Sequence, residues 1–240
     1  MPHDNTPLIN RFLATQQPLG RWRLNFCATC RREAWRMTLF IHEKAKRAFD
    51  IVVSSTALLC LLPLFGLISL LIKIEDGGPV MFSQTRVGKG GRLFAMYKFR
   101  SMCLNAEEKI KTLLAANQHA QGITFKIKKD PRITRVGKWL RKFSLDELPQ
   151  FYNVLNGTMS IVGPRPPIPR EVAQYSMADR RRLTVTPGIT CLWQIGGRSE
   201  IDFPEQVELD VLYIETQSFW GDVTILVKTV PAVLTGKGAY

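Results

Sequence analysis

The feature that most restricts how this chain can fold is a stretch of 22 residues without a charged side chain, from Ile51 to Ile72. Its length is enough for a helix that crosses the hydrocarbon core of a membrane. Pro63 lies near its middle, and proline lacks the amide hydrogen that a helix interior uses. A break at Pro63 leaves arms of roughly 12 and 10 residues, which reach about 18 and 15 Å across a core of about 30 Å. Neither arm would cross alone.

Basic side chains flank this stretch on both sides. Those before it are Lys44, Lys46 and Arg47, and those after it are Lys73, Arg86, Lys89 and Arg92. Cytoplasmic flanks of membrane segments carry an excess of lysine and arginine, so both ends of the stretch are predicted to face the cytoplasm. The sequence therefore predicts a re-entrant helix at residues 44–74, bent at Pro63, and favours it against a helix that spans the membrane.

Charge and cysteine content limit the class of protein. The chain has 240 residues, of which 45% are hydrophobic, so it can bury one substantial core. A net charge of +13 attracts anions in general, including nucleic acids, acidic lipid headgroups and nucleotide diphosphates. The five cysteines are scattered and odd in number, which argues for reduced thiols. Cys27 and Cys30 form a CxxC motif, but no second pair completes a zinc site.

Residues 1–38 form a polar and basic extension before a predicted domain at 39–240. Two interpretations of the extension remain open. It is either a disordered tail or a segment on an anionic membrane surface, with Trp22, Phe26 and Trp35 at the headgroups. The sequence shows no signal-peptide pattern, because a basic start followed by an apolar run is missing.

Residues 144–166 hold the densest group of reactive side chains. Asp146 and Glu147 are neighbouring carboxylates within a basic region that includes Lys138, Arg141, Lys142, Arg165 and Arg170. One carboxylate can attack phosphorus or accept a proton while the other holds a hard divalent cation, and guanidinium groups can clamp the phosphoryl oxygens. The alternative is a capping box between Ser144 and Glu147 at a helix start. Pro149 disturbs a helix that begins there.

Residues 78–102 alternate apolar and polar side chains on both sides of the GKGG run at 88–91. This pattern is typical of a β-hairpin with a glycine turn, and the helix context that a phosphate-binding loop requires is missing. Lys98 and Arg100 are two residues apart, which places them on one face of an extended strand. Farther along, basic residues recur every three positions and predict a helical stripe: Arg132, Arg135, Lys138 and Arg141.

Three later segments, 171–183, 204–214 and 222–234, carry apolar residues at helical spacing. The last two fit either core helices or helices along a membrane interface, with Trp220 as an anchor. The GGR motif at 196–198 sets glycines beside Arg198, where a phosphate or nucleotide could approach the backbone closely. A purely structural turn is the alternative at this position.

Taken in order, these motifs resemble the bacterial sugar transferase family, the monotopic polyprenol-phosphate phosphoglycosyl transferases. The matching segments are KRAFD at 46–50, residues 78–102, DPRITRVGKWLRK from 130, the stretch at 144–166, TPGITCLWQIGGR at 186–198, and GKGAY at the end. They extend over about 195 of the 240 residues. The chain departs from the family at three positions. Leu62 stands where the family often has a serine before the proline of the bend. Thr158 and Cys191 stand where the family often has aspartate and glycine, respectively.

The resemblance implies an α+β fold that is mostly helical. It implies a re-entrant membrane hairpin and a small cytoplasmic catalytic portion, residues 75–240, with a β-hairpin and interfacial amphipathic helices. The implied reaction transfers a sugar 1-phosphate from a UDP-sugar to polyprenol (undecaprenyl) phosphate and releases UMP. It would take place at the cytoplasmic face of the bacterial inner membrane and begin exopolysaccharide or other glycoconjugate synthesis. The GKGAY ending is similar to that of exopolysaccharide-initiating members, which favours a hexose.

By the same resemblance, Asp146 attacks the sugar-bearing phosphate to form a covalent intermediate, and Glu147 holds Mg2+. The residues expected to bind substrate phosphate are Lys98, Arg100, Arg141, Arg165 and Arg198. The expected partners are a UDP-sugar, polyprenol phosphate and inner-membrane lipid, without nucleic acid, and a homo-oligomer is compatible with the sequence. A non-catalytic basic scaffold of a polysaccharide assembly is the alternative, but it leaves the carboxylate pair beside GPRP unexplained. The sequence does not specify the sugar.

Overall fold

The computed structural model describes residues 18–106, 130–197 and 201–235 of the chain. The contacts divide it into two compact units, Met1–Lys46 and Arg47–Tyr240. Within the first unit, residues 18–46 are helical, and Trp22, Phe26 and Trp35 are exposed. The Trp22 and Phe26 rings stack with their centroids 5.5 Å apart, as side chains four residues apart on a helix can do.

The described chain is α+β and mostly helical, as predicted. Its helices are α1 (Pro18–Asp76), α2 (Arg135–Lys142), α3 (Gln150–Leu155), α4 (Pro169–Val172), α5 (Leu192–Gly196), α6 (Phe203–Thr216) and α7 (Phe219–Thr235). Its strands are β1 (Met81–Val87), β2 (Leu93–Phe99), β3 (Ser160–Val162) and β4 (Gly188–Thr190). Short 3-10 turns occupy Lys89–Gly91, Leu145–Glu147 and Asp179–Thr184.

Helix α1 contains the apolar stretch and continues through Pro63. By length and composition it is long and apolar enough to cross a membrane. Many of its large apolar side chains are exposed: Ile51, Val52, Leu59, Leu62, Leu67, Leu70, Leu71 and Ile74. The Ser54 and Ser69 hydroxyls donate to the carbonyls of Asp50 and Phe65, both at 2.6 Å, so these polar groups are satisfied within the helix. The bend at Pro63 and the re-entrant course stay predictions.

Residues at both ends of the apolar stretch contact the rest of the second unit. On the N-terminal side, Asp50 Oδ1 accepts hydrogen bonds from Ser160 Oγ at 3.0 Å and Ile161 N at 2.9 Å. On the C-terminal side, Ile68 and Ile72 are buried in a cluster completed by Phe99 and Leu140. These contacts fix α1 to β3 at one end and to β2 and α2 at the other, and β2 and α2 carry candidate site residues.

The predicted β-hairpin is confirmed. β1 and β2 pair antiparallel from Met81 opposite Phe99 to Val87 opposite Leu93. Gly90 and Gly91 have φ of 67° and 80°, a left-handed conformation in which glycine is favoured because it lacks a Cβ. The register places Lys98 directly across from Phe82, on the face shared with Gln84 and Arg86.

Two sequence predictions need correction in extent. The basic stripe is helical only from Arg135, because Thr134 caps the start of α2 by accepting from Gly137 N at 2.9 Å. Arg132 therefore precedes the helix and pairs with Asp130. The single helix predicted over 171–183 is instead α4 followed by the separate 3-10 turn at Asp179–Thr184.

The main core lies between β2, the parallel pair β3 and β4, and the helices α6 and α7. Its buried members are Met96, Val154, Met159, Ile161, Val162, Tyr213 and Ile225. The Tyr213 hydroxyl lies 3.0 Å from the Val162 carbonyl and 2.8 Å from Asp222 Oδ1, which ties α6 and α7 to β3. Helices α6 and α7 match the two predicted segments. The opposite side of α7 exposes Phe219, Trp220, Val227 and Val230.

Candidate active site

The carboxylate pair lies in a tight turn between α2 and α3. Ser144 precedes it with φ of 54° and ψ of 22°, the one positive φ among non-glycine residues of the described chain. Its side chain caps no backbone amide, so the capping box does not form. α3 begins at Gln150, directly after Pro149, where the missing amide hydrogen of proline costs no helical hydrogen bond. Asp146 and Glu147 thus occupy a 3-10 turn with a left-handed residue before it, a conformation common at functional sites.

Two cationic side chains, Lys98 and Arg165, form an ion-pair cluster with the carboxylates of Glu147 and Asp146. Lys98 Nζ lies 2.6 Å from Glu147 Oε1 and 3.9 Å from Asp146 Oδ2. Arg165 Nη1 lies 3.3 Å from the same Glu147 Oε1. Strand β2, the turn at Leu145–Glu147 and the GPRP segment after β3 each supply part of this cluster. These chain segments are far apart in sequence, and the tertiary fold brings them together.

The two carboxyl groups differ in ionisation. Burial raises the pKa of Asp146, and the Glu147 charge adds to that effect, although Lys98 opposes it. Burial also acts against ionisation of Glu147, but Lys98 and Arg165 outweigh it and lower the Glu147 pKa to about 2. Glu147 is therefore held firmly ionised, whereas burial makes ionisation of its neighbour Asp146 less favourable. Such a divergence between adjacent groups is typical of catalytic sites.

A cavity of about 780 Å³ opens beside this cluster, and Asp146 lines it. Eight basic residues line the same cavity: Arg86, Lys98, Arg100, Arg132, Arg141, Arg165, Arg170 and Arg182. Cavities of this size hold small-molecule ligands, and this concentration of guanidinium groups suits phosphoryl oxygens. Glu147 is not among the lining residues, but Lys98 and Arg165, which both contact it, do line the cavity.

The structure brings most of the predicted site residues together. Lys98, Arg100, Arg141 and Arg165 all line the cavity with Asp146. Arg198 lies outside the described residues. Pro63, predicted as the membrane bend, lies inside α1.

Glu147 was predicted to hold Mg2+, and its surroundings fit a partial role of that kind. Both cations contact Oε1, and Oε2 accepts no hydrogen bond from a described residue. Among the described residues no three acidic, histidine or cysteine side chains cluster as a metal site. Mg2+ is commonly bound through one or two carboxylates, with substrate phosphates completing its coordination. Glu147 Oε2 could be one ligand of such an ion, and Mg2+ binding by Glu147 stays a prediction.

Arg86 was missed as a site residue. Its Nη1 donates to the Pro166 carbonyl at 2.8 Å, which positions the GPRP segment, and its Nη2 donates to Gln84 Oε1 at 2.6 Å. Burial and the nearby Arg165 charge lower the Arg86 pKa to about 10. The alternating pattern of the hairpin could have identified Arg86, because Arg86 and the predicted site residue Lys98 share one face of the two paired strands.

Arg182 was also missed, and no local pattern points to it. Its Nη2 lies 2.5 Å from Asp210 Oδ2, and its guanidinium carbon lies 5.8 Å from the Tyr175 ring and 5.6 Å from the Phe203 ring. Burial raises the Asp210 pKa to about 6 although Arg182 opposes this. Arg182 lines the cavity, and the buried Asp210 beside it compensates its charge.

Residues 41–236 of the chain match the bacterial sugar transferase family. The chain is 51% identical over 204 residues to a galactosyl transferase, CpsE, of Streptococcus agalactiae, covering 83% of this chain and 44% of that protein. It is 46% identical to an undecaprenyl-phosphate galactose phosphotransferase of Salmonella typhimurium, covering 81% of this chain and 41% of that protein.

A third relative has a length closer to that of this chain. It is the exopolysaccharide production protein ExoY of Rhizobium meliloti, 42% identical over 199 residues that make up 82% of this chain and 88% of that protein. The chain thus spans less than half of the first two relatives and most of the third. The match over nearly the whole of the second structural unit establishes that this chain belongs to the bacterial sugar transferase family.

Proposed function

We propose that the protein transfers a sugar 1-phosphate from a UDP-sugar to a polyprenol phosphate, undecaprenyl phosphate in bacteria, and releases UMP. The observation that supports this best is Asp146 in the wall of an arginine-lined cavity, with Lys98 Nζ 3.9 Å away. The reaction joins two anions, so it requires this excess of positive charge before the reacting atoms can meet. The Salmonella relative is named for this type of transfer, with galactose as the sugar.

In the first step, an Asp146 carboxylate oxygen attacks the phosphorus that bears the sugar. A new bond forms between that oxygen and phosphorus, and the bond from phosphorus to the bridging oxygen of UMP breaks. The electron pair leaves with UMP, and an aspartyl phosphosugar remains. Burial of Asp146 favours this step, because a poorly solvated carboxylate is a stronger nucleophile than a hydrated one.

In the second step, a phosphate oxygen of the polyprenol phosphate attacks the same phosphorus. The acyl phosphate bond to Asp146 breaks, the carboxylate is regenerated, and the product is a polyprenyl diphosphosugar. The two steps use the same cationic wall in turn, so one site serves both phosphate substrates.

The basic side chains have distinct parts in this scheme. Lys98 lies between the two carboxylates, and it holds Asp146 nearer to its ionised form. Arg165 contacts Glu147 and lines the cavity, so it can hold a phosphoryl oxygen while it remains anchored. Arg141, in the last turn of α2, also lowers the Asp146 pKa and lines the cavity. Glu147 would hold Mg2+ through Oε2, and that ion when bound would offset charge on the diphosphate.

The lipid substrate places the reaction at a membrane. The exposed apolar side of α1 and the exposed aromatic residues Phe219 and Trp220 of α7 suit the hydrocarbon edge and headgroup region of a bilayer. We propose a monotopic protein in the bacterial inner membrane, with α1 re-entrant at Pro63 and the cavity on the cytoplasmic side. Basic residues on both flanks of the apolar stretch support this topology.

UMP release from purified full-length protein tests the proposal. The assay contains undecaprenyl phosphate, Mg2+ and a panel of UDP-sugars that starts with UDP-galactose. Wild-type protein is expected to release UMP from at least one of them, and Asp146→Asn is expected to release none above background. Glu208→Gln, a carboxylate-to-amide change at an exposed position on α6, is the matched control and should keep wild-type turnover.

Two outcomes would contradict the proposal. UMP release by Asp146→Asn at the wild-type rate would refute Asp146 as the nucleophile. If wild-type protein released UMP from none of the UDP-sugars, the non-catalytic scaffold would be favoured instead. Mass spectrometry of the protein after incubation with substrate alone provides a direct readout, because a phosphosugar on Asp146 adds its mass to one peptide.

A further inference from the structure

Arg100 has an incompletely satisfied guanidinium at the edge of the active site. It follows β2 directly, its residue is only 8% exposed, and it lines the cavity. Its Nη1 is buried without a hydrogen-bond partner in the described chain. A buried donor without a partner is unfavourable unless a ligand supplies the acceptor. The arrangement suits Arg100 to bind an anion through Nη1.

Asp76, the last residue of α1, holds the other side of that guanidinium. Its Oδ1 accepts a hydrogen bond from Arg100 Nη2 and a second one from Gly78 N at 3.2 Å. Gly77 between them has φ of 69°, which turns the chain sharply after the helix. Arg100 is also fixed through its backbone, because its amide donates to the Val80 carbonyl at 2.9 Å. The guanidinium therefore has a defined orientation.

Gly78 provides the space for the guanidinium. A Cβ added to Gly78 would lie 2.1 Å from Arg100 Nη1 and 2.8 Å from its Cζ, closer than non-bonded atoms allow. Only glycine lets the Arg100 side chain keep this position. Asp76, Gly77 and Gly78 together form what we call the Arg100 seat.

Glu75, the residue before Asp76 in α1, contacts another segment that contributes to the cavity wall. Glu75 Oε1 accepts hydrogen bonds from Arg135 N at 2.7 Å and Val136 N at 3.3 Å, at the start of α2. Helix α2 carries Arg141 in its last turn, and Arg141 lines the cavity. Two consecutive carboxylates at the end of the apolar helix thus contact the segments that present two cavity arginines.

We propose that Asp76 is a positioning residue for substrate binding: through the Arg100 seat, the end of the apolar helix orients Arg100 toward the diphosphate of the nucleotide sugar. Asp76 does not touch the substrate itself. The inference rests on the proposed function in taking a nucleotide diphosphate as the anion. If the inference is correct, anion binding requires the contact between Asp76 at the end of α1 and Arg100, in addition to any role of α1 in membrane attachment.

Binding of UDP by full-length protein tests this without turnover. Isothermal titration calorimetry is expected to show a rise in Kd of roughly tenfold or more for Asp76→Asn and for Gly78→Ala, because a misdirected guanidinium loses a charge-assisted hydrogen bond. Asp76→Glu keeps the carboxylate and should recover most of the affinity. Glu208→Gln is the matched control and should bind UDP as the wild type does. Inorganic pyrophosphate should follow the same order as UDP.

A double-mutant comparison separates positioning from general destabilisation. If Asp76 acts through Arg100, then adding Asp76→Asn to Arg100→Lys should cost little further affinity. In the turnover assay, Asp76→Asn should raise KM for the UDP-sugar more than it lowers kcat. A folding defect would instead reduce the active fraction and leave KM unchanged.

The possible failures are distinguishable. Unchanged UDP affinity in Asp76→Asn, or additive losses with Arg100→Lys, would overturn this inference alone. Wild-type protein that binds UDP with the expected order of variants but releases no UMP would overturn the proposed function and leave the role of Asp76 standing. Wild-type protein that binds neither UDP nor pyrophosphate would overturn both.

Discussion

Lys98 Nζ lies 2.6 Å from Glu147 Oε1 and 3.9 Å from Asp146 Oδ2, so one ammonium group faces both neighbouring carboxylates. The closer contact explains why Glu147 stays ionised to low pH, since Lys98 and Arg165 together outweigh the effect of burial. Asp146 receives the weaker contact and remains dominated by burial. The same lysine therefore helps to separate two side chains that are adjacent in sequence.

Replacing Lys98 with methionine should shift the pH dependence of turnover. Lys98 lowers the pKa of both carboxyl groups, so its loss raises both, and the fraction of ionised Asp146 falls at a given pH. The acid limb of the kcat/KM profile should move to higher pH, and the maximal rate should fall by roughly 100-fold or more. Lys98→Arg, which keeps the charge, is the control. An unshifted acid limb in Lys98→Met would contradict the role assigned to Lys98.

Glu147→Gln should destabilise the fold in a pH-dependent way. The folded pKa of about 2 lies below the ordinary value of 4.5, so the ionised group stabilises the fold fully above pH 4.5 and loses this effect as the pH falls toward 2. The shift corresponds to a free energy on the order of 3 kcal/mol. Unfolding midpoints measured from pH 6 to pH 2 should show a large deficit for the variant at pH 6 that narrows on acidification. A constant deficit would contradict this assignment.

Asp146→Asn should have the opposite effect on stability. A raised folded pKa means that the ionised carboxylate is less favourable in the folded protein than in the unfolded chain above its ordinary pKa of 3.8. Removing that charge should leave the unfolding midpoint at pH 7 equal to or above that of the wild type, although activity is lost. Measurement of unfolding midpoints, as for Glu147→Gln, checks this prediction. A marked loss of stability in Asp146→Asn at neutral pH would contradict the prediction.

Gly188→Ala should disrupt the parallel pair of β3 and β4. A Cβ at Gly188 would lie 2.1 Å from Gly163 N and 2.6 Å from Gly163 O, and backbone atoms cannot move aside cheaply. We expect a loss of about 2 kcal/mol or more in the free energy of unfolding, measured by denaturant titration. Gly66→Ala is the control, because a Cβ there meets nothing within 4 Å. Equal stability of both variants would show that the strands are not packed as described.

Cysteine labelling tests the course of α1. In a chain whose five native cysteines are replaced by serine, single cysteines are placed at His42 and at Ile74, on opposite flanks of the apolar stretch. A re-entrant helix predicts that an impermeant thiol reagent labels both positions in inverted membrane vesicles and neither in intact cells. Labelling from opposite sides would show that the helix spans the membrane.

Local patterns predicted several elements well. The hairpin around GKGG follows from alternation and glycine content, and α6 and α7 follow from helical spacing, because these signals depend on neighbours a few residues apart. The start of α2 was set three residues too early. The side chain of Thr134 decides that boundary, since it caps Gly137 N. The long segment predicted at 171–183 failed because periodicity alone does not show where a helix breaks.

The sequence by itself determined the apolar helix, the hairpin and the adjacency of Asp146 and Glu147, because each is a property of a short run of residues. Only the tertiary structure decided that the Glu147 pKa is lowered and the Asp146 pKa raised, that Arg86 and Arg182 line the cavity, and that Asp76 contacts Arg100. The physical reason is that burial and Coulomb interactions depend on distance in space. Lys98 and Glu147 are 49 positions apart in the chain, yet their charged atoms lie 2.6 Å from each other.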